Sequence, residues 1–285
     1  MANVNHTSLS AVRAAAFALL LPFVISGCFS EKIPPPTETA ARSRIITALI
    51  EGNDRALETS RGPLDVTGLE RTINLIGFWW GDSSPQLYQA LTDSAILLAR
   101  HKHYDVALSY VERALLVCRS AFGVEHRETA YAYHDIATIL NQLNPEESSQ
   151  RAIEVLRAAI LIRQKILGPD HAETAGAEAA LAWQLLLLAK KGNALEEKRA
   201  KIIEAERLSQ HARQVLGSNG DSSYSWELRW IALDCAFFLG KYDEAVKWAG
   251  EIPEMDRGEL GHGLYPEESA NDLLAKSIRA RDHLN

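Results

Sequence analysis

The sequence reads LGPDHAETA at residues 167–175 and FGVEHRETA at residues 122–130. Gly, His, Glu, Thr and Ala occupy the same offsets in both stretches, which lie 45 residues apart. Matching residues at a fixed separation indicate a repeat architecture, in which one supersecondary unit recurs and stacks on its neighbours. We therefore expect the same motif elsewhere in the chain.

Fainter copies of the motif lie on either side of this pair. Gly81 begins a weaker copy and Gly217 a degenerate one, so successive glycines are 42, 45 and 49 residues apart. Each glycine precedes an alanine by fourteen or fifteen residues, at Ala95, Ala137, Ala182 and Ala232. A second pair of alanines recurs seven residues apart, as at Ala107 and Ala114, so both members lie on one helix face where another helix can approach closely.

Hydrophobic periodicity divides each repeat into two helices. We expect first helices at 85–101, 127–143, 171–190 and 222–239. The second helices are expected at 104–120, 147–166, 196–215 and 242–251, and further helices at 41–58, 65–79 and 266–284. The sequence thus predicts an all-α fold of stacked antiparallel helix pairs with capping helices.

These units resemble tetratricopeptide repeats of the long, kinesin-light-chain type. In that family the second helix ends in Leu-Gly, and Pro-Asp-His and Thr-Ala lead into the next first helix, which is the order at residues 167–175. The resemblance covers residues 81–252 and implies a TPR-like solenoid, a right-handed superhelical array that binds proteins and is not an enzyme. The asparagine pair of the family is replaced by Thr92 and Asp93 and by His134 and Asp135, so its cargo preference does not carry over. The aspartates favour a ligand rich in Lys, Arg or backbone donors.

The N-terminus has the pattern of an export signal. Residues 14–25 are apolar, about a dozen residues where a membrane span needs roughly twenty. The following Ser26-Gly27-Cys28 resembles the bacterial lipobox, which implies cleavage after Gly27 and acylation of Cys28; the alternative is a free cysteine after a failed span. We expect an exported protein that is lipid-anchored to the cell membrane, or to the outer membrane facing the periplasm if the cell is Gram-negative.

The expected domain boundaries follow from these patterns. A signal peptide covers 1–27, an acylated cysteine and Pro-rich tether 28–40, a degenerate helical cap 41–80, about four repeats 81–252, and a C-terminal cap 253–285. The net charge of −7 and the lack of a basic run argue against a nucleic-acid partner. Three cysteines are too few for a disulfide framework, so Cys118 and Cys235 are expected as buried free thiols.

The candidate binding site is a concave groove lined by first helices. Positions six and three before the packing alanine, and one and four after it, form one helical stripe that should face this groove. The candidate groove residues are Gln89, Thr92, Tyr131, His134, Thr138, Asn141, Trp183, Trp226 and Arg229. A solvent-facing helix is polar in any case, so the alternative is that these side chains only contact water.

The favoured function is a membrane-anchored scaffold that binds a protein or peptide in the bacterial cell envelope. The alternative is an envelope protein that holds a small ligand or peptide, such as a cell-wall fragment, in the same groove. We expect no catalytic residue, cofactor or metal. His126 and His171 recur at helix starts, which indicates a structural repeat position rather than a catalytic base. Ser84 precedes a helix, where Asp and Ser supply N-caps.

Overall fold

The computed structural model describes residues 46, 47, 50, 66–191, 194–218, 225–252 and 270–284. All regular structure in these residues is helical. The helices are α1 Thr67–Trp80, α2 Pro85–Arg100, α3 Tyr104–Ala121, α4 Arg127–Leu143, α5 Pro145–Leu167, α6 Ala172–Lys191, α7 Leu195–Ser218, α8 Ser225–Phe238, α9 Tyr242–Glu251 and α10 Ala270–Leu284. The predicted all-α class is confirmed, and the helices expected from residue 65 onward are present with small shifts at their ends.

The chain divides into two compact units, Met1–Ala132 and Tyr133–Asn285. In the first unit α2 packs against both α1 and α3. In the second unit each of the helices α5 to α10 packs against the next along the chain, and α8 also contacts α6 and α10. Contacts between consecutive helices and between alternate helices are the packing expected of stacked helical hairpins.

The repeated motif forms the same turn in both units. Gly123 and Gly168 have φ angles of 99° and 97°, a left-handed conformation in which a side chain would be strained. The Thr129 hydroxyl donates to the Gly123 carbonyl at 2.7 Å, and the Thr174 hydroxyl donates to the Gly168 carbonyl at 2.9 Å. The glycine of the motif provides the positive φ of the turn, and the threonine hydroxyl bonds the glycine carbonyl. Together they close the turn between successive helix pairs.

The histidines of the motif cap helices. His126 Nδ1 accepts from the Glu128 amide and His171 Nδ1 from the Glu173 amide, both at 3.2 Å, at the first turns of α4 and α6. Ser84 occupies the equivalent position in the weaker first copy, and its hydroxyl accepts from the Leu87 amide at 3.2 Å. All three side chains satisfy an amide that has no partner within its own helix.

The recurring alanines are core residues. Both members of each pair on the second helices are fully buried, including the pair at Ala205 and Ala212 that lies four residues later than expected. A slip of one helical turn keeps the same face toward the neighbouring helix, so the packing is retained. The first-helix alanines are also buried: Ala95, Ala137, Ala182 and Ala232.

The degenerate fourth copy differs from the prediction. Gly217 lies inside α7, which continues to Ser218, and it does not share the positive φ of the turn glycines. A left-handed residue recurs instead between the two helices of a pair, at Lys102 with φ 63° and at Gly240 with φ 72°. In both turns an amide one residue later reaches back to a helix carbonyl, His103 to Leu98 at 3.0 Å and Lys241 to Ala236 at 2.9 Å.

The C-terminal helix α10 completes the core of the second unit. Ala270 and Leu273 are fully buried in one apolar cluster with residues of α8 and α9, including Trp230 and Leu233. Ser277 is also buried, and its hydroxyl donates to the Leu273 carbonyl within the helix. The end of the second unit is therefore covered by apolar packing, as an end unit of a repeat array requires.

Candidate functional site

The first helices α4 and α6 of the second unit are joined by a pair of side-chain amides. Gln184 Nε2 donates to Asn141 Oδ1 at 3.1 Å, and Gln184 itself is only 4% exposed. Thr138 is exposed one turn before Asn141, and Trp183 is half-buried beside Gln184. We call Thr138, Asn141, Trp183 and Gln184 the first-helix face. The structure brings three of the predicted groove residues together here.

The hydrogen bonds already made within the first-helix face determine what it can offer a ligand. Asn141 Oδ1 is occupied by Gln184, which leaves the amide hydrogens of Asn141 as donors. The Thr138 hydroxyl donates to the His134 carbonyl at 3.1 Å, so its oxygen lone pairs remain as acceptors. The Gln184 Oε1 atom is enclosed and has no hydrogen-bond partner in the described part of the chain. The first-helix face therefore includes hydrogen-bond donors, acceptors and one indole ring.

His134 lies on the same helix, one turn before Thr138. It is half-buried, and its Nδ1 atom is enclosed with no hydrogen-bond partner among the described residues. Burial, with the positive charge of Arg163 beside it, lowers the pKa of His134 to about 4. Arg163 is 4% exposed and donates to the Glu173 carbonyl at 2.9 Å, which fixes its position. His134 is therefore a neutral group at pH 7.

Three predicted groove residues belong to the first unit. Gln89, Thr92 and Tyr131 are all half-buried. The Thr92 hydroxyl donates to the Tyr88 carbonyl at 3.1 Å, the same bond within a helix that Thr138 makes. The Arg127 guanidinium lies over the Tyr131 ring, 5.4 Å from its centroid. Tyr131 is thus packed against a cation rather than fully open to a ligand.

The two residues predicted for the fourth repeat have different outcomes. The side chain of Trp226 lies outside the described residues. Arg229 is half-buried on α8, while its neighbour Trp230 is 6% exposed and belongs to the core. The stripe predicted for the fourth repeat is therefore only partly described, and it cannot be compared in full with the stripe of the second repeat.

Sequence reasoning missed two residues that the structure adds. Gln184 is the hydrogen-bond partner of Asn141, and it lies two residues after the packing alanine Ala182, outside the predicted stripe. Ile96 follows Ala95 directly and is 55% exposed, so it occupies the position that Thr138 and Trp183 occupy in other repeats. The repeat offset could have identified Ile96, but only the packing of α4 against α6 reveals Gln184.

A charged cluster joins α6 and α7 away from the first-helix face. His211 Nδ1 lies 2.5 Å from Glu178 Oε2, and His211 Nε2 lies 3.1 Å from Asp170 Oδ1. The hydrogen bond to Glu178 is the main cause that raises the pKa of His211, and Asp170 adds to it. The cluster therefore favours the protonated form of His211. Because the two carboxylates lie at opposite edges of the ring, it does not converge on a common ligand.

The described residues also include two cysteines and other side chains of the types that bind metals. Cys118 and Cys235 are both free and buried, as predicted. No group of three or more His, Cys, Asp or Glu side chains in the described ranges is placed to hold a metal ion. Burial raises the pKa of both thiols, which disfavours their reactive thiolate forms.

The helix pairs, the closed Gly–Thr turns and the capping histidines define a helical-repeat binding protein. Residues 89–128 and 129–173 match the family model described as tetratricopeptide repeat. Residues 89–173 of the chain thus match tetratricopeptide repeats, the family that the motif resembles. This fold serves protein–protein interaction, which confirms the coarse form of the predicted function.

Curated relatives and solved structures are similar to parts of the chain. A clustered mitochondria protein homolog of Candida albicans is 30% identical over 105 residues, which is 37% of this chain and 8% of the relative. One of Emericella nidulans is 24% identical over 153 residues, or 53% of this chain and 12% of the relative. The chain thus matches only a small part of these long proteins. A crystal structure of kinesin-light-chain TPR-like repeats from Podosopora anserina has 15% identity, covers 87% of this chain and 99% of its own, and gives a TM-score of 0.49.

The expected cellular location is wrong. The matching curated relatives are fungal, and their name refers to mitochondria rather than to a bacterial envelope. Gly27 and Cys28, on which the lipid anchor rested, lie outside the described residues. A cell-wall fragment as ligand depended on the same location. No helix in the described ranges is both long and apolar enough to cross a bilayer.

Proposed function

We propose that the chain is a protein-interaction scaffold whose second unit binds a segment of a partner protein on the first-helix face. The observation that carries this proposal is the amide pair Gln184–Asn141, which joins two first helices beside an exposed Thr138 and a half-buried Trp183. Tetratricopeptide repeats bind proteins, and the unit contributes most of one matched repeat, 129–173.

The chemistry of this face suits a peptide backbone. A backbone offers one donor and one acceptor per residue, and Asn141 and Thr138 supply the complementary donor and acceptor. Trp183 adds a large, rigid apolar surface, the kind of side chain that dominates binding energy at interfaces. His134, one turn before Thr138, is neutral at pH 7, so it does not select an acidic partner. The proposal is therefore a segment recognised mainly by its backbone and one apolar side chain.

Site-specific photo-crosslinking tests this proposal. A photoreactive phenylalanine derivative replaces Thr138 in the full chain, which is irradiated in the cells that make it, and the crosslinked species are identified by mass spectrometry. A second chain carries the same group at Gln150, an exposed residue of α5. We expect a discrete crosslinked protein from position 138 that is absent at position 150 and that is lost when Trp183→Ala is added.

The controls separate loss of binding from loss of fold. Trp183→Ala removes a half-buried side chain, so its circular dichroism and thermal unfolding are compared with those of the parent chain. If a folded Trp183→Ala chain gives the same crosslink as its parent, or if positions 138 and 150 give the same species, the first-helix face is not the binding surface.

A further inference from the structure

The solvent face of α7 carries a basic and apolar stripe. Arg199, Ile203 and Arg207 are all exposed, and Ile203 is 49% exposed. They are spaced at i, i+4 and i+8, so they lie one above another on one side of the helix. Arg199 and Arg207 are eight residues apart, so their Cα atoms lie about 12 Å apart along the helix axis at 1.5 Å per residue. We call these three residues the α7 stripe.

The two arginines of the α7 stripe differ from the other cations around them. Neither Arg199 nor Arg207 makes a side-chain hydrogen bond or ion pair with another described residue. By contrast, Lys201 is paired with Glu197, and Lys241 lies 2.7 Å from Glu206. Within the described part of the chain, the two arginines of the stripe are therefore not held in an ion pair.

The apolar part of this surface continues onto α5. Arg157 of α5 reaches Glu204 of α7 with contacts of 2.8 Å and 3.0 Å, which join the solvent faces of the two helices. Leu161 follows Arg157 by one turn and is 68% exposed. Ile203 precedes Glu204 directly. Two large exposed aliphatic side chains thus flank one interhelical ion pair and are bordered by unpaired arginines.

We infer that the α7 stripe is a second interaction surface, which binds an acidic amphipathic helix of a partner protein. The two arginines of the stripe complement carboxylates on the partner. The aliphatic side chain between the arginines complements an apolar residue of the partner that lies between those carboxylates. A helix laid along α7 presents two carboxylates eight residues apart, with an apolar residue midway, at the same axial spacing. Because the whole chain carries a net charge of −7, this local positive charge directs acidic partners to one place.

A pair of synthetic peptides provides the probe. One is a labelled helical peptide of about sixteen residues in which two Glu residues flank a Leu at i, i+4 and i+8 on one face. Its partner has Lys at the two Glu positions. Binding to the full chain is measured by fluorescence anisotropy at low and high salt. We expect the Glu peptide to bind and the Lys peptide not to bind, with affinity falling as salt rises.

Charge-reversal variants locate the binding surface. Arg199→Glu/Arg207→Glu should weaken the Glu peptide by about tenfold or more, since attraction becomes like-charge repulsion. Arg279→Glu is the matched control, because Arg279 is also an exposed arginine of a helix, α10. Its described hydrogen bond is the one that Nε donates to the Ala275 carbonyl of the same helix. It should leave the affinity unchanged. Both variants alter exposed side chains, and circular dichroism verifies their folding.

Two results would overturn the inference. The first is that the Glu peptide fails to bind, or binds equally well to the double variant. The second is that vesicles with about 30% phosphatidylserine bind in an Arg199- and Arg207-dependent manner while the peptide does not, which would assign the stripe to an anionic membrane. Trp183→Ala should not change peptide affinity, so this test is independent of the first-helix face.

Discussion

The His211 cluster leads to the sharpest stability prediction. The Glu178 side chain is 5% exposed, and its carboxylate lies 2.5 Å from His211 Nδ1. Replacing His211 with Ala leaves a buried carboxylate without this partner, which costs about 3–5 kcal/mol in fully buried pairs. The His211 side chain is 29% exposed, so water can enter the space and solvate Glu178. We therefore expect His211→Ala to lower the free energy of unfolding by about 2 kcal/mol at pH 6.

Two further variants test the physical reason. Asp170→Asn should cost less than about 0.5 kcal/mol, because the Asp170 side chain is 82% exposed and its contact with His211 is screened by solvent. Glu178→Gln, added to His211→Ala, should restore about 1 kcal/mol, since an amide leaves no unpaired charge in the buried position. Urea unfolding followed by circular dichroism measures all four chains under one condition.

The pH dependence gives the cluster an independent signature. The hydrogen bond to Glu178 raises the pKa of His211 in the folded chain. A raised folded-state pKa contributes stability that is complete below the unfolded value of about 6.5 and is lost as pH rises through the folded value. The penalty of His211→Ala should therefore shrink between pH 6 and pH 9. A penalty that is independent of pH, or equal in Asp170→Asn, would refute the imidazolium–carboxylate explanation.

Three further predictions concern the turns and His134. Lys102→Gly should stabilise the chain by about 0.5–1 kcal/mol, because Lys102 has φ 63° at the turn position where Gly240 has φ 72°. Gly240→Lys should destabilise the chain by a similar amount, and thermal unfolding measures both variants. Gly168→Ala should lower the free energy of unfolding by about 1–2 kcal/mol, because the φ of 97° is strained for alanine even though the added Cβ would meet no atom. Gly217→Ala lies inside α7 and should be neutral or stabilising in the same urea assay. In histidine proton NMR, the His134 resonance should stay constant from pH 8 to about 5 and shift near pH 4, and a midpoint above 6 would contradict its burial.

The binding site could be predicted only in part. The repeat offset placed Thr138 and Trp183 at one position of successive first helices, and the structure finds both at the surface. Asn141 was predicted on the same stripe, and in the structure its amide oxygen is bonded to Gln184. A periodic pattern shows which side of a helix a residue occupies, and it does not show which side chain of another helix lies opposite. The location predicted from the short N-terminal motif was wrong, because the matching curated relatives are fungal and are named for mitochondria.

The sequence by itself determined the helix pairs, their turns and their buried alanines. These features depend on local rules: a left-handed glycine, such as Gly123 or Gly168, ends a repeat, and small residues seven apart share one helix face. Only the tertiary structure decided that Gln184 meets Asn141, 43 residues away, and that His211 joins Glu178, 33 residues away. It also decided that Gly217 lies within a helix rather than at its end. The reason is that cross-helix contacts depend on the rotation and axial offset of separate helices, which the packing of the whole core sets.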